Sequence, residues 1–189
     1  MKNIITLFIF LATTILNAQT FELSGGNQII TWQGKAAVGG YAPEGTLEVT
    51  NALLKIEDDQ ITQLEILVDM KSLDQEIEQL RKHLREKDFF YVNKFPEATF
   101  KLTKEVEVQS EKVELEGKFT IRGIENEEMV TAILTKNESE VIINFQTKMN
   151  RTAYGIKYNS PSFFKRLKEN AIDDYFTIKG EIVLQQINN

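Results

Sequence analysis

The chain has 189 residues, a length that suits one globular domain with a sizeable core. Hydrophobic residues make up 42% of it and charged residues 26%, as in soluble globular proteins. The formal net charge is -6 and no long basic block interrupts the acidic residues, which argues against nucleic-acid binding. Cysteine is absent, which excludes disulfides, thiolate metal sites and thiol chemistry.

The first 18 residues predict a signal peptide. Lys2 supplies the positive charge, an apolar run extends from Ile4 to Leu16, and the small residue Ala18 precedes Gln19. This run is shorter than the roughly 20 residues that span a bilayer, although a retained anchor is the alternative. We expect cleavage after Ala18, a periplasmic or secreted protein with no stable membrane span, and a single domain over residues 19–189.

Alternation of apolar and polar residues dominates the rest of the chain. About eight such segments follow one another, separated by short turns such as Asp58-Asp59. Short connections predict antiparallel hairpins, and eight of these strands predict a sandwich or an up-and-down barrel. The fold class is therefore mainly β. Inward positions are almost all apolar, so a barrel would either enclose an apolar cavity or be filled by its own side chains.

Two segments predict helices. Ser72 to Glu86 predicts an amphipathic helix with Ser72 or Asp74 as its cap, and Ser162 to Lys168 predicts a short second helix. The apolar stripe of the first helix is formed by Leu73, Ile77, Leu80 and Leu84.

An aromatic loop follows the first helix. Its rings are Phe89, Phe90, Tyr91, Phe95 and Phe100. Rings mixed with charged residues favour a lid over something apolar, and a plug for the end of an ordinary core is the alternative. The segment Asn150 to Tyr175 is predicted to form a second aromatic cap. Within it, Arg151 is interpreted as a structural hydrogen-bond donor, with a ligand clamp as the less favoured alternative.

Residues for catalysis are sparse. His83 is the only histidine, it lies among charges on the predicted helix where we expect it to be solvated, and no GxSxG motif occurs. One histidine without cysteine cannot make a zinc site. The carboxylate pairs Asp58-Asp59 and Asp173-Asp174 are expected to be solvated turn residues. These observations predict a protein that is not an enzyme and has no metal or cofactor.

Several short motifs carry a resemblance. They are Trp32-Gln33-Gly34-Lys35, Val68-Asp69-Met70-Lys71-Ser72-Leu73, His83-Leu84 with Lys87-Asp88-Phe89-Phe90, Phe95-Pro96-Glu97-Ala98-Thr99-Phe100, Gly117-Lys118-Phe119-Thr120-Ile121-Arg122-Gly123, Asn150-Arg151-Thr152, Tyr158-Asn159-Ser160 with Phe163-Phe164, and Ile172-Asp173-Asp174. In this order they resemble the YceI-like family of exported polyisoprenoid-binding proteins.

The resemblance implies an extended, lipocalin-like, eight-stranded antiparallel β-barrel with one or two short helices and a long apolar channel. Family members bind an isoprenoid chain, such as a quinone tail or a polyprenyl phosphate, in the bacterial envelope. Two departures bear on the polar end of such a site. The Gly-rich loop after Trp32 lacks the histidine that the family often has, and Asn150 stands where an aspartate is common.

We therefore expect non-catalytic binding, carriage or storage of an amphiphilic isoprenoid lipid or quinone, by a monomer or homodimer. The residues expected to line or gate the channel are Trp32, Phe89, Phe90, Phe95, Phe100, Tyr154, Tyr158, Phe163 and Phe164, with Arg151 at its mouth. The alternative is a periplasmic structural or interaction protein with a packed barrel, which docks a partner through exposed rings at Phe89 and Phe90.

Overall fold

The computed structural model describes residues 18–108 and 110–187. The predicted signal peptide falls outside these ranges except for its last residue, Ala18, which begins the first strand. The peptide and its cleavage site therefore stay predictions. Among the described residues, no helix is both long enough and apolar enough to cross a membrane.

The described residues form ten strands and one α-helix. The strands are β1 (Ala18–Leu23), β2 (Gln28–Gln33), β3 (Glu44–Glu57), β4 (Gln60–Asp74), β5 (Glu97–Leu102), β6 (Val106–Glu107), β7 (Lys112–Ile121), β8 (Ile124–Lys136), β9 (Glu140–Asn150) and β10 (Tyr175–Ile187), and the helix is α1 (Glu78–Arg85). Two short 3-10 helices span Arg151–Tyr154 and Lys168–Asn170.

The strands close into a barrel. The order β3-β2-β10-β9-β8-β7-β5-β4 returns to β3, and every pair in this ring is antiparallel. The strand β1 pairs with both β10 and β3, so it occupies the same place in the ring as β2. The strand β6 pairs with β4 past the end of β5, so it shares the place of β5. Ten strands thus occupy eight positions, which confirms the predicted eight-stranded antiparallel barrel.

Side-chain alternation separates the two faces of the barrel wall. In β2, Ile30 and Trp32 are buried while Ile29 is 64% exposed. In β4, the alternate residues Ile66, Val68 and Met70 line the interior. The period of two in the sequence is therefore sufficient to assign the inner wall.

The predicted helix begins later than its sequence pattern indicates. The residues from Ser72 to Asp74 continue β4, and Leu73 is buried as a strand residue. Ser72 Oγ accepts from Glu48 N at 2.7 Å and donates to the Asp69 carbonyl at 2.6 Å, next to a register shift between β3 and β4. Ser72 therefore stabilises a bulge in the sheet and does not cap the helix.

The other predicted cap is also wrong. The N-terminus of α1 has no side-chain cap, and Asp74 instead forms an ion pair with Arg81 at 2.8 Å. The helix predicted over residues 162–168 is absent from the described structure, which has turns there. Arg166 and Lys168 have φ values of 70° and 48°, a left-handed backbone that ends any α-helix.

The two ends of the barrel differ. The pairing places the long connections 34–43, 75–96 and 151–174 at one end, which we call the loop end. The opposite end has tight turns, including Asp58-Asp59, where both residues have positive φ. Packing also differs, because the turn end is filled by fully buried side chains. These are Phe21, Leu54, Ile56, Ile61, Leu64 and Leu184.

Candidate lipid-binding cavity

An apolar cavity of about 90 Å³ lies inside the barrel. Its wall receives side chains from all eight positions of the ring, and Phe90 is contributed by the loop after α1. Apart from Thr99, every lining side chain is apolar or aromatic. The aromatic members are Trp32, Phe90, Phe100, Phe119, Phe145 and Phe176. Such a surface favours an apolar ligand and offers no charge for a charged group.

Strand glycines make room for the rings. An ideal Cβ on Gly45 would lie 2.6 Å from Cζ2 of Trp32, and one on Gly117 would lie 2.5 Å from Cζ of Phe100. Both distances are far shorter than a normal contact, so these rings can pack directly on backbone only because glycine has no side chain. The indole N–H of Trp32 is buried and, among the described residues, has no hydrogen-bond partner.

The aromatic loop covers the loop end of the barrel. Backbone bonds fold it onto the end of α1, with Phe90 N donating to the Leu84 carbonyl and Val92 N to the Arg85 carbonyl, both at 3.0 Å. Phe90 then lies edge-on to Phe176 of β10, with ring centroids 6.4 Å apart. The loop is therefore a roof over the cavity, and Phe90 is the part of it that reaches the interior.

A second ring cluster joins the two caps. His83 lies edge-on to Phe89 at 5.0 Å and to Tyr158 at 4.8 Å between ring centroids. The prediction of a solvated His83 is wrong, because the imidazole is half-buried between these two rings. The cluster ties the segment after α1 to the segment 151–174 but does not border the cavity.

Arg151 holds the second cap together. Its Nε donates to the Asp173 carbonyl at 2.9 Å, Nη1 to the Ile156 and Tyr158 carbonyls at 3.0 and 2.9 Å, and Nη2 to the Ile172 carbonyl at 2.9 Å. Burial lowers the pKa of Arg151, and the nearby charge of Asp174 opposes this effect. The structure thus places Arg151 in the structural role that the sequence favoured.

Asp174 completes this network. It is buried, lies 3.4 Å from Arg151 Nη2 and accepts a short hydrogen bond from the hydroxyl of Ser162. The expectation that the Asp173-Asp174 pair is solvated is therefore wrong for Asp174. The reason is that Arg151, a buried cation with four carbonyl partners, needs a carboxylate nearby to offset its desolvation.

Tyr154 fills a gap in the barrel wall. The strands β8 and β9 pair only over residues 132–136 and 141–145, so their ends at the loop end are unpaired with each other. The 3-10 helix Arg151–Tyr154 packs beside β8. There the hydroxyl of the fully buried Tyr154 donates to Glu128 Oε1 at 3.0 Å. Burial, together with the charge of Glu128, raises the pKa of Tyr154.

The predicted site residues separate into three groups. Trp32, Phe90 and Phe100 line the cavity. Phe89, Tyr154 and Arg151 are buried away from the lining, and half-buried Phe95 packs against Tyr91 with centroids 6.1 Å apart. Tyr158, Phe163 and Phe164 are exposed, the last two by 50% each. The position of each residue is thus known, while its role in binding stays a prediction.

Three aromatic lining residues were missed by sequence reasoning. They are Phe119, Phe145 and Phe176. Each lies on the inward face of an alternating strand, so the signal was present in the period of two. Rings at inward strand positions are also common in filled cores, so this signal does not by itself distinguish a cavity wall from ordinary core packing.

The chain matches the model of the YceI-like domain over residues 21–184. A curated relative, a UPF0312 protein of Vibrio parahaemolyticus, is 36% identical over 63 residues. This match covers 33% of the present chain and spans only a third of the length of that relative.

Solved structures share the fold at low sequence identity. A polyisoprenoid-binding domain from Saccharophagus degradans has a TM-score of 0.62 at 9% identity, covering 92% of this chain and all of that one. BcnA of Burkholderia cenocepacia has a TM-score of 0.61 at 17% identity, covering 82% of this chain and 94% of that one. The YceI protein of Campylobacter jejuni has a TM-score of 0.59 at 14% identity, covering 99% and 94%. With the barrel, the apolar interior and a family match over most of the sequence, the chain belongs to the YceI-like family.

Proposed function

We propose that the protein binds an amphiphilic isoprenoid lipid, of the quinone or polyprenyl phosphate type, inside the barrel and carries or stores it without catalysis. The observation that carries this proposal is the cavity wall, which is apolar at every lining side chain but Thr99. An isoprenoid chain transferred from water to such a wall gains about 25 cal/mol per Å² of apolar surface removed from water. The solved domain from Saccharophagus degradans, which is described as polyisoprenoid-binding, supports the same ligand class.

The ligand must widen the cavity. The cavity volume of about 90 Å³ is smaller than the roughly 150 Å³ of an engineered protein cavity that holds benzene. The side chains best placed to move are the half-buried rings of the wall and roof, Phe90, Phe119, Phe145 and Phe176. The fully packed turn end limits how deep the chain can go, so widening begins under the roof.

The head group belongs at the loop end. The lining has no charged side chain, so a phosphate would remain outside the roof, whereas a neutral quinone ring could lie beneath it. The indole N–H of Trp32 supports the quinone, because a buried donor without a partner costs free energy that a carbonyl acceptor would recover.

The proposed place of action is the bacterial envelope. The predicted signal peptide and the family membership support it.

Tryptophan fluorescence tests the proposal directly, because Trp32 is the only tryptophan and lines the cavity. A quinone with an isoprenoid tail, titrated into the protein, should quench this emission to saturation at one quinone per barrel. The same quinone ring without a tail should quench weakly and without saturation, since it lacks the apolar surface that provides affinity. A polyprenyl phosphate should displace the tailed quinone and restore the emission.

Equal quenching by both quinones would contradict the proposal, because it would show collision without a binding site. The packed docking scaffold predicts that result. The hypothesis of a packed docking protein required exposed rings at Phe89 and Phe90. Phe89 is buried and Phe90 faces the cavity, so neither ring forms an exposed docking surface.

A further inference from the structure

The segment 157–168 has exposed aromatic rings beside a cluster of positive charges. It contains Lys157, Lys165, Arg166 and Lys168 and no acidic residue, in a chain whose formal net charge is -6. Phe163 and Phe164 are each 50% exposed, and Lys157 Nζ lies 4.5 Å from the centroid of the Phe163 ring. We call this segment the basic aromatic loop.

Hydrogen bonds hold the backbone of the basic aromatic loop beneath these rings. Arg151 fixes the start of the loop through the Tyr158 carbonyl, and Ser162 is fixed by its bond to the buried Asp174. Phe163 N and Phe164 N both donate to the Ser160 carbonyl, at 3.2 and 2.9 Å, which closes a tight turn. The backbone is therefore held in a turn from which the rings project into solvent.

A neighbouring loop adds to the same end of the barrel. The segment 34–43 also lacks acidic residues, carries Lys35, and exposes Val38 by 60% and Tyr41 by 54%. Backbone hydrogen bonds join it to the second cap, with Ala37 N donating to the Ala171 carbonyl at 2.9 Å. Exposed apolar side chains and positive charges without acidic residues thus occur together in the described segments 34–43 and 157–168 of the loop end.

We infer that the loop end docks on an anionic lipid surface through the basic aromatic loop. Phenylalanine rings at a fixed turn can enter the boundary between head groups and acyl chains, while lysine and arginine remain among the anionic head groups. Each basic residue near such a surface contributes about a fivefold gain in partitioning. An acidic protein partner would use the charges but would leave the exposed rings without an apolar contact, so the lipid surface fits both features.

Cosedimentation with vesicles tests this inference. The full chain is purified from bacterial envelopes, and its mass is measured first, so that the state of its N-terminus is known and is the same in all variants. Vesicles of phosphatidylglycerol supply the anionic surface and vesicles of phosphatidylcholine the uncharged one. The protein should bind phosphatidylglycerol at least tenfold more tightly, and added salt should weaken this binding.

Two double variants separate the contributions of rings and charges. Phe163→Ser with Phe164→Ser should weaken binding to phosphatidylglycerol at least tenfold but keep its salt dependence. Lys165→Glu with Arg166→Glu should weaken binding by a similar factor or more and remove most of that dependence. The matched control is Ile29→Ser with Ile133→Ser, which removes two apolar side chains of the barrel wall that are 64% and 51% exposed. This control should bind as the unchanged protein does.

Failure of the protein to bind phosphatidylglycerol vesicles would overturn the inference, as would equal losses in the control and in the loop variants. Vesicle binding is measured without added isoprenoid, so its outcome is independent of the proposed function. A protein that binds these vesicles but shows no saturable quenching by a tailed quinone would refute the lipid-carrier proposal alone.

Discussion

Phe90 lies edge-on to Phe176 with ring centroids 6.4 Å apart, and this contact joins the roof loop to the barrel wall. Both rings line the cavity and both are only partly buried. Because the rest of the roof is joined to α1 by backbone hydrogen bonds, we expect rotation of the Phe90 side chain to open the cavity toward the loop end.

Phe90→Ala should therefore accelerate release of a bound lipid. The truncation removes the ring that closes the cavity, and it should lower the free energy of unfolding by about 1–3 kcal/mol, less than a fully buried phenylalanine would. Stopped-flow measurement of quinone release, followed by Trp32 fluorescence, checks the rate. Phe95→Ala is the matched control, since this half-buried ring of the same loop does not line the cavity. Equal release rates in both variants would rule out Phe90 as the gate.

Ala98→Leu should reduce lipid binding without unfolding the barrel. Ala98 lines the cavity, so a leucine there can extend into existing space and compete with the ligand. Ala52→Leu is the comparison, because Ala52 is equally small and buried but lies away from the lining, where overpacking costs about 1–3 kcal/mol. Denaturant unfolding and quinone titration of both variants check the prediction. Unchanged affinity in Ala98→Leu would place the ligand elsewhere.

Arg151→Lys should destabilise the protein by about 1–3 kcal/mol for each buried carbonyl that loses its hydrogen bond, although the lysine keeps the positive charge beside Asp174. A lysine ammonium cannot reproduce the fork that reaches the carbonyls of Ile156, Tyr158, Ile172 and Asp173. Urea unfolding of this variant beside Arg81→Lys, which alters an exposed ion pair, gives the contrast. If both variants lost equally little stability, the Arg151 network would not hold the second cap.

Stability should fall as the pH rises above about 10, the usual pKa of tyrosine. Burial and the charge of Glu128 raise the pKa of Tyr154 in the folded state, so above this pH the unfolded state loses a proton that the folded state keeps. This stabilisation is complete below the unfolded pKa and is lost as the pH rises toward the folded pKa. Urea unfolding at neutral and alkaline pH checks it.

Tyr154→Phe is the control for that dependence. It removes the ionisable hydroxyl and its bond to Glu128, so stability at neutral pH should fall by about 0.5–1.5 kcal/mol while the alkaline decline becomes shallower. An alkaline decline as steep as that of the unchanged protein would assign it to other groups.

Sequence alternation was sufficient to predict a mainly β fold of about eight antiparallel strands, since a buried inner face requires apolar residues at every second position. It left a sandwich and a barrel as alternatives, and only the resemblance to the YceI-like family implied the barrel. Alternation could not predict where the helix begins. Leu73 fits both the stripe of a helix and the inner face of a strand, and pairing with β3 decides for the strand. Tertiary contacts override the helical preference of this segment, because as part of β4 it gains both sheet hydrogen bonds and burial of Leu73.

The candidate site was predictable only in part. Trp32, Phe90 and Phe100 belong to recognisable motifs and line the cavity. Phe163 and Phe164 belong to an equally aromatic motif, yet they project into solvent because the hydrogen bonds of Arg151 and Asp174 fix the loop beneath them. Those bonds join residues 7 and 12 positions apart, outside any regular helix or strand pattern, and aromatic content alone does not reveal on which side of a loop its rings will lie.

The most direct test of lipid binding is native mass spectrometry of the protein purified from bacterial envelopes, followed by denaturation and identification of whatever is released. If the barrel binds an isoprenoid lipid, the spectrum should show a complex of one barrel with one lipid, and the released mass should contain an isoprenoid chain. A bare protein that also fails to take up an added tailed quinone would contradict lipid binding.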